Sequence, residues 1–396
     1  MKLRKLRQDT PLEGTRVLVR IDGNVPIVKG RAVDGPNGRI ARAAVDLDWL
    51  IRRGARVVVM THLGRPAGKR RSAYSVKPIG KRLSNLLGIK VPVSGAITGP
   101  HAKRMVDALK NGQLLLLENL RFDPREEQND PAFAAELAAL GDLYINDAFS
   151  VSHRAHASVS ALARLLPSYA GHLLANEVGV LSVLESKVRR PLVLLMGGVK
   201  VETKLPIIEH LATLTDQVLL GGALATTFFA ARGIAVGRSL VDEAGVEAAR
   251  ALSKSLIKKI CLPVDVVVAS SLRRDAKTRV ADATDVGARE RIVDIGPKTR
   301  AAYAAIIGKA KTVVWNGPFG YCEVGAFCEG TASVARAVAA RTGAATTIVG
   351  GGDTGPVLER LKLADQFTLL STGGGALLDF LSGRPMPGVD LLRIAD

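Results

Sequence analysis

RVLVRIDGNVP, residues 16–26, sets the reading of the whole chain. Six β-prone residues run almost without a polar break, and then an acid, a glycine, an amide and a proline end the run. A strand that stays apolar instead of alternating is covered on both faces, as in parallel sheets. The turn after it then lies at the strand's carboxyl end, where open parallel sheets bind their ligands. The same unit recurs: ARVVVM at 55–60, QLLLLE at 113–118 and DLYIN at 142–146, then PLVLLM at 191–196, QVLLG at 217–221, VDVVVA at 264–269, KTVVW at 311–315, TTIVG at 346–350 and FTLLS at 367–371. Helical patterns fill the intervals, such as PAFAAELAAL at 131–140 and GVEAARALSKSLIKK at 245–259. Strand and helix alternating in this way predict an α/β chain whose strands form parallel sheets, in two doubly wound (Rossmann-like) domains.

Length agrees, since 396 residues exceed what one core ordinarily holds. Pro and Gly interrupt the pattern at LLPSYAG, 165–171, so the boundary is expected there, with domains at 1–170 and 171–384. A helix from about Leu173 to Lys187 is expected to open the second domain, and the Pro/Gly-punctuated segment 382–396 is expected to leave the helical pattern.

Composition excludes several classes. No run of about 18 uncharged apolar residues predicts a membrane helix, and the basic start lacks the apolar core of a secretory signal. The three cysteines, Cys261, Cys322 and Cys328, are too few and too unevenly spaced for a disulfide framework or a zinc site, so a reducing, cytoplasmic setting is expected. A net charge of +18 would attract anions, but aromatic residues make up only 4% and no basic tail or Cys/His finger is present. The charge is therefore read as arginine spread over solvated faces, and nucleic acid is not an expected partner.

The two halves differ in the residues that come after each strand. In the first half Asp22 and Asn24, His62 and Arg65, Arg121, and His153, Arg154 and His156 all come just after strands, while Arg39 opens the first long helix. Three strand-end arginines beside Asp, Asn and His suit a small, multiply charged anion, because the guanidinium fork binds phosphate and carboxylate in pairs of hydrogen bonds. His153 and His156 have a spacing that could ligate a metal on a helix, but without a third ligand they are read as hydrogen-bonding or packing groups. In the second half the strand ends are glycine-rich: GGVKVETK with Lys200 and Lys204, GGALATTF, NGPFGYCE, GGGDTGP and STGGGALLDF. Glycine lets a backbone approach phosphate closely, and two of these loops lead toward helix N-termini that favour negative charge. GxxxxGK[ST], GxGxxG with its acidic partner and the protein-kinase set are all missing, so the expected site is a nucleotide site of another type, with Asp353 placed to hold Mg²⁺ on phosphates.

In order along nearly the whole chain, VLVRIDGNVPI, THLGRP, LLENLRFDPREEQNDP, INDAFSVSHRAHAS, LLPSYAG, GGVKVETK, LPVDVVVA, DIGPKT, WNGPFG, EGT, GGGDT and STGGGALLDFLSGRPMPGVD resemble the phosphoglycerate kinase family. The resemblance implies two similar-sized domains joined by a hinge, with residues 385–396 returning to the first. It implies a monomer that moves a phosphoryl group between 1,3-bisphosphoglycerate and MgADP, giving 3-phosphoglycerate and MgATP. By motif, Asp22, Asn24, Arg39, His62, Arg65, Arg121 and Arg154 are implied to bind the glycerate. Lys204 is implied to touch nucleotide phosphates, Gly221 and Gly222 the adenine, Asn316, Pro318 and Glu323 the ribose side, and Gly351, Gly352, Asp353 and Thr354 the phosphates and metal. Arg39, Lys200, Gly373 and Gly374 are implied to surround the moving group.

Gly23, Val199, Ala223, Tyr321, Cys322 and Gly355–Pro356 depart from the usual pattern without removing a charged group of this set. Two other readings stay open here, a polyanion binder on the same scaffold and a phosphotransferase acting on a different acyl phosphate.

Overall fold

The computed structural model describes residues 1–394 apart from Lys187, Ser253 and Thr372. The chain divides into two compact units: Met1–Gly179 with the tail from Pro385 onward, and Val180–Arg384. The expected boundary at 170/171 lies just before this division, which falls inside the helix His172–Leu181.

The first unit contains β1 (Arg16–Ile21), a small hairpin of β2 (Ile27–Val28) and β3 (Arg31–Ala32), then β4 (Arg56–Met60), β5 (Leu114–Leu116), β6 (Leu143–Asp147) and β7 (Ser168–Ala170). Five of these form one parallel sheet in the order β5-β4-β1-β6-β7. Side chains leave a strand on alternate faces, and here the alternation sorts the core in two. Val17, Val19 and Ile21 of β1, with Val57 and Val59 of β4, pack under Ile40 and Leu47 of the helix Arg39–Arg52 and Leu83 of the helix Lys77–Leu87. Leu18, Val58, Met60 and Tyr144 face the other way, onto Val106 of the helix Gly99–Asp107 and Phe133 and Leu137 of the helix Pro131–Ala138. Each fully buried aliphatic contributes roughly 1.5–3 kcal/mol relative to exposure, so both faces must be covered at once.

Asp34 explains why that first helix starts at Arg39. Its carboxylate accepts from the backbone N–H groups of Ile40 (3.1 Å) and Ala41 (2.9 Å), satisfying donors that a helix N-terminus leaves open. The tail returns to the same unit: Ile394 donates to the Lys2 carbonyl at 3.0 Å, and Asn146 Nδ2 donates to that of Gly388 at 3.1 Å.

The second unit contains β8 (Leu192–Met196), β9 (Gln217–Leu220), β10 (Ile260–Cys261), β11 (Asp265–Ala269), β12 (Thr278–Asp282), β13 (Arg291–Ile295), β14 (Thr312–Asn316), β15 (Thr346–Gly350) and β16 (Leu369–Ser371). A six-stranded parallel sheet runs β10-β9-β8-β14-β15-β16. Its order reverses between β8 and β14, the kind of crevice where doubly wound sheets bind ligands.

Four expectations need correcting. VDVVVA does form a strand, but β11 pairs antiparallel with β12 and β13 in a separate three-stranded sheet. An apolar run reads alike in both settings, and only its partners differ. The pattern at 245–259 is two helices, Glu243–Ala251 and Lys254–Ile257, because Leu252 turns to an extended backbone. The helix expected from Leu173 is likewise two, His172–Leu181 and Val183–Ser186, while Lys187 lies outside the described residues. The C-terminal segment also regains a short helix, Pro387–Asp390.

Candidate functional site

All the strand-end groups of the first unit lie at the carboxyl edge of one parallel sheet. Asp22 comes directly after β1, and its Oδ2 pairs with Arg39 Nη1 at 3.0 Å and accepts from Ser150 Oγ at 2.6 Å. Arg39 Nη1 also donates to the Asn24 carbonyl at 3.0 Å. Asn24 Oδ1 in turn accepts from Gly64 N at 2.9 Å, fixing the loop just before Arg65, which is exposed. Arg121 reaches back to the Gly64 carbonyl at 2.8 Å and pairs with Glu127 at 3.1 Å. Arg154 Nε donates to His153 Nε2 at 3.1 Å. The two loops after β1 and β4 and the one after β5 are thus tied together by the residues expected to bind one anion. Gly23 is required by this packing, because a Cβ there would stand 2.8 Å from Thr61 Oγ1, the acceptor of its own N–H.

Beneath this edge lies a buried network that the strand-end pattern does not include. Arg20, 1% exposed, donates to Ser158 Oγ (3.1 Å), to the Ile21 carbonyl (2.5 Å) and to His62 Nδ1 (3.0 Å). Ser158 passes the chain to Glu126 at 2.6 Å, and His156 Nδ1 lies 3.9 Å from the same carboxylate. Burial, then repulsion by Arg20, Arg121, His156 and Arg154, holds the His62 pKa well below the usual histidine value. His62 is therefore neutral. Since its Nδ1 accepts from Arg20, its proton sits on Nε2, which can donate to a ligand oxygen. Burial also brings Arg121 down to about 10, with Arg154 and Arg20 adding repulsion. Cations crowded this closely favour an anion among them. A signal was available in RVLVRI: a charge in a strand covered on both faces must be buried and paired.

His153 and His156 are hydrogen-bonded or packed in this way. Among the described residues, no cluster of three or more His, Cys, Asp or Glu could hold a metal.

In the second unit the loops after β8, β14 and β15 meet. Lys204, at the start of the helix Leu205–His210, donates its ammonium to Asn316 Oδ1 at the end of β14. Burial lowers Lys204 to about 8, with the charge of nearby Asp353 opposing the shift. Asn316 Nδ2 and Thr354 Oγ1 are buried and have no partner. Gly351, with φ of 114°, carries the loop past them, and a Cβ there would stand 3.5 Å from Asn316 Nδ2. Two orphan donors, a buried lysine and a glycine turn at the start of the helix Gly355–Arg360 fit an anion such as phosphate. Exposed Gly352 and Asp353 complete the loop. One exposed carboxylate beside phosphate oxygens fits Mg²⁺, which is held through one or two carboxylates plus substrate phosphates.

The remaining groups sit around these loops. Gly221 and Gly222 open the helix Gly222–Ala231 against Phe319, and the Pro318 carbonyl accepts from Gly198 N at 2.9 Å. Ala223 fits within that helix. Lys200 is exposed. Gly373 N donates to Ser371 Oγ at 3.1 Å, so its N–H is already engaged, while Gly374 caps the helix Gly375–Leu381. Glu323 lines a cavity of about 550 Å³ with Arg274, Arg336 and Arg360.

One cysteine expectation is overturned: Cys322 and Cys328 are joined as a disulfide, and Cys261 is free. A six-residue separation matches no disulfide framework, but the turn at Gly325–Phe327 folds the two ends back together.

Known proteins resemble this chain over nearly its whole length. Residues 7–384 match the sequence model of the family described as phosphoglycerate kinase. The chain is 48% identical over 388 residues to the phosphoglycerate kinase of Thermomicrobium roseum, covering 97% of this chain and 98% of that one. To that of Chloroflexus aurantiacus it is 45% identical over 400 residues, covering 99% and 100%. Its fold is similar to the solved structure of phosphoglycerate kinase from Coxiella burnetii, with a TM-score of 0.87, 39% identity and 97% coverage of both chains.

Proposed function

Since the chain belongs to the phosphoglycerate kinase family, its reaction is reversible phosphoryl transfer between 1,3-bisphosphoglycerate and ADP, and we propose that the two sheet edges described above hold these two substrates. The observation that carries the residue assignment is the pair of partnerless buried donors, Asn316 Nδ2 and Thr354 Oγ1, beside Lys204.

In this proposal the first unit binds phosphoglycerate. Arg65, Arg121 and Arg154 take its phosphate, and Asp22, Asn24, Arg39 and His62 Nε2 orient the reacting end. The second unit binds nucleotide. Lys204, Asn316, Thr354 and the backbone of Gly351 and Gly352 hold phosphates, so Asn316 moves here from the ribose to the phosphate side. Glu323 accepts from ribose hydroxyls with Pro318 beside it on the ribose side, and Gly221 and Gly222 border the base. Mg²⁺, carried by the nucleotide and held through Asp353, neutralises phosphate charge when bound.

Catalysis then needs positioning and charge rather than proton transfer. The acceptor carboxylate of phosphoglycerate is already ionised near neutral pH, so no general base is required. The transferred group spreads negative charge over its equatorial oxygens. Arg39, Lys200 and the N–H of Gly374 are assigned to that charge. The N–H of Gly373 joins them once it exchanges Ser371 for the phosphoryl group. In-line transfer requires donor and acceptor oxygens to meet, so closure about the helix His172–Leu181, with exclusion of water, belongs to the proposal. A monomer acting in the cytoplasm completes it. Among the described residues no helix is long and apolar enough to cross a membrane.

The test is a coupled assay with 3-phosphoglycerate, ATP and Mg²⁺. Turnover that is lost in Lys204→Met and strongly reduced in Arg39→Ala is expected. Full turnover in both variants would overturn the residue assignment.

A further inference from the structure

The loop from β14 to the helix Glu329–Ala339 carries a bond that the proposed chemistry does not use. The disulfide joins Cys322 to Cys328, and the ring it closes contains Glu323, Val324 and Gly325. Both cysteines are 6% exposed and pack against Val357. They differ in access: Cys328 lines the cavity of about 550 Å³ together with Glu323, Val324 and Gly325, whereas Cys322 is not among its lining residues.

Both cysteines are anchored. Cys328 caps the helix Glu329–Ala339, where its carbonyl accepts from Ala332 N at 3.0 Å. The N–H of Cys322 donates to the Gly320 carbonyl at 3.1 Å, and its carbonyl accepts from Arg360 at 3.3 Å. Thr331 Oγ1 already accepts from Phe319 N (2.9 Å) and Gly320 N (3.3 Å), and it lies 3.2 Å from Cys322 Sγ. With its lone pairs so occupied, and with no hydrogen on the disulfide sulfur, the threonine O–H is the group that can donate in this contact.

We propose that Cys322–Cys328 is a thiol-sensitive clamp on the nucleotide site, whose reduction loosens the loop that presents Glu323 and weakens nucleotide binding through the ribose hydroxyls. This rests on the assignment of Glu323 to those hydroxyls.

The reductant is a small dithiol, which enters by the cavity. Its thiolate attacks Cys328 Sγ, the Sγ–Sγ bond breaks, and Cys322 leaves as a thiolate steadied by the Thr331 hydroxyl before taking a proton. The second thiol of the reductant then attacks the mixed disulfide and frees Cys328, which is protonated in turn. Two electrons and two protons pass to the protein, and the reductant leaves as its cyclic disulfide. Two thiol sulfurs cannot remain at a bonded separation, so they part. Cys322 is held by Gly320 and Arg360 and Cys328 by its helix, and so the segment between them, Glu323–Phe327, loses the tie that closes it. A loop freed in this manner must be ordered again when ligand binds, and that cost appears as lost affinity.

The experiment uses the full-length protein. Purified without reductant and then denatured, it should show one titratable thiol, that of Cys261, and three after dithiol treatment. Three at the outset would overturn the proposal. By titration calorimetry, ADP should bind the reduced protein about threefold to tenfold more weakly than the oxidised one. 2′,3′-Dideoxy-ADP, which lacks the hydroxyls, should bind both states alike. Cys328→Ser should bind ADP as the reduced protein does and ignore the dithiol. Equal ADP affinity in the two wild-type states would overturn the clamp, as would an equal redox response to the dideoxy ligand.

Glu323→Gln separates the two levels. If it leaves ADP affinity of the oxidised protein unchanged, the ribose assignment itself fails and the clamp with it. If it weakens ADP binding while redox state does not, only the clamp fails.

Discussion

Lys204 and Asn316, more than a hundred residues apart in the chain, meet as donor and acceptor where β14 ends, and this contact leaves the amide Nδ2 of Asn316 turned toward Gly351 without a partner. The lysine pKa has its origin in the same placement, since burial brings it to about 8. A bound phosphate favours the charged ammonium. Nucleotide affinity should therefore be full below about pH 8 and fall as pH rises through it. For a group titrating near 8, the ADP Kd at pH 9 should exceed that at pH 7 by about tenfold. Lys204→Met should bind ADP weakly at both pH values and remove the difference. Calorimetric titration at the two pH values checks both statements.

Arg39 and Lys200 are assigned to the charge that develops on the moving group. Arg39→Ala and Lys200→Ala should each lower kcat by at least about 10²-fold, the scale of a lost transition-state donor. Arg39→Ala should also raise the KM for phosphoglycerate, because Arg39 holds Asp22 and the Asn24 carbonyl. Lys200 is exposed and should leave that KM nearly unchanged. Steady-state kinetics in the direction of ATP consumption separates these outcomes.

Arg20 is a structural prediction with a functional edge. Its charge is buried with that of Glu126, which has no exposed surface and whose pKa burial raises. Arg20→Leu leaves the carboxylate without its counter-charge and should cost about 3–5 kcal/mol in denaturant unfolding. Arg20→Leu with Glu126→Gln should recover part of that loss. In both variants the KM for phosphoglycerate should rise, because His62 loses the donor that fixes its tautomer.

Asp147 sets a pH dependence of stability. Burial, reinforced by the neighbouring Asp46 carboxylate, raises its pKa, while Leu174 N donates to its Oδ1 at 3.1 Å. A carboxyl whose folded pKa lies above its unfolded value holds its proton more tightly when folded. Its contribution is complete below the unfolded value of about 3.9 and is lost as pH rises through the folded one. Unfolding free energy should therefore decline across that interval, and Asp147→Asn, which keeps the shape of the protonated acid, should flatten the decline. Thermal or urea unfolding at several pH values gives the slope.

Much of this was legible along the chain. Strands such as β1 and β15 are read from their apolar runs, since a parallel strand covered on both faces has almost no polar positions. Arg121 and Arg154 are legible because the carboxyl end of each strand is where such sheets place function. β11 reads as one of the parallel set because its run says nothing about the direction of its neighbours. Arg20 escapes a strand-end reading because Ser158, in the helix Ala157–Ala161, and Glu126, reached through it, lie more than a hundred residues away.

Taken alone, the sequence determined most strands of the two parallel sheets, the chemistry at their carboxyl ends, and through its motifs the family. These are local properties, set by side-chain period and turn chemistry over a few residues. Only the tertiary structure decided which groups meet or feel one another's charge: His62 and Arg20, Asp147 and Asp46, Lys204 and Asn316, Cys322 and Cys328. Hydrogen bonds, ion pairs and disulfides depend on distances of a few ångströms through space. Separation along the chain does not set those distances until the sheets have paired and the loops have closed over them.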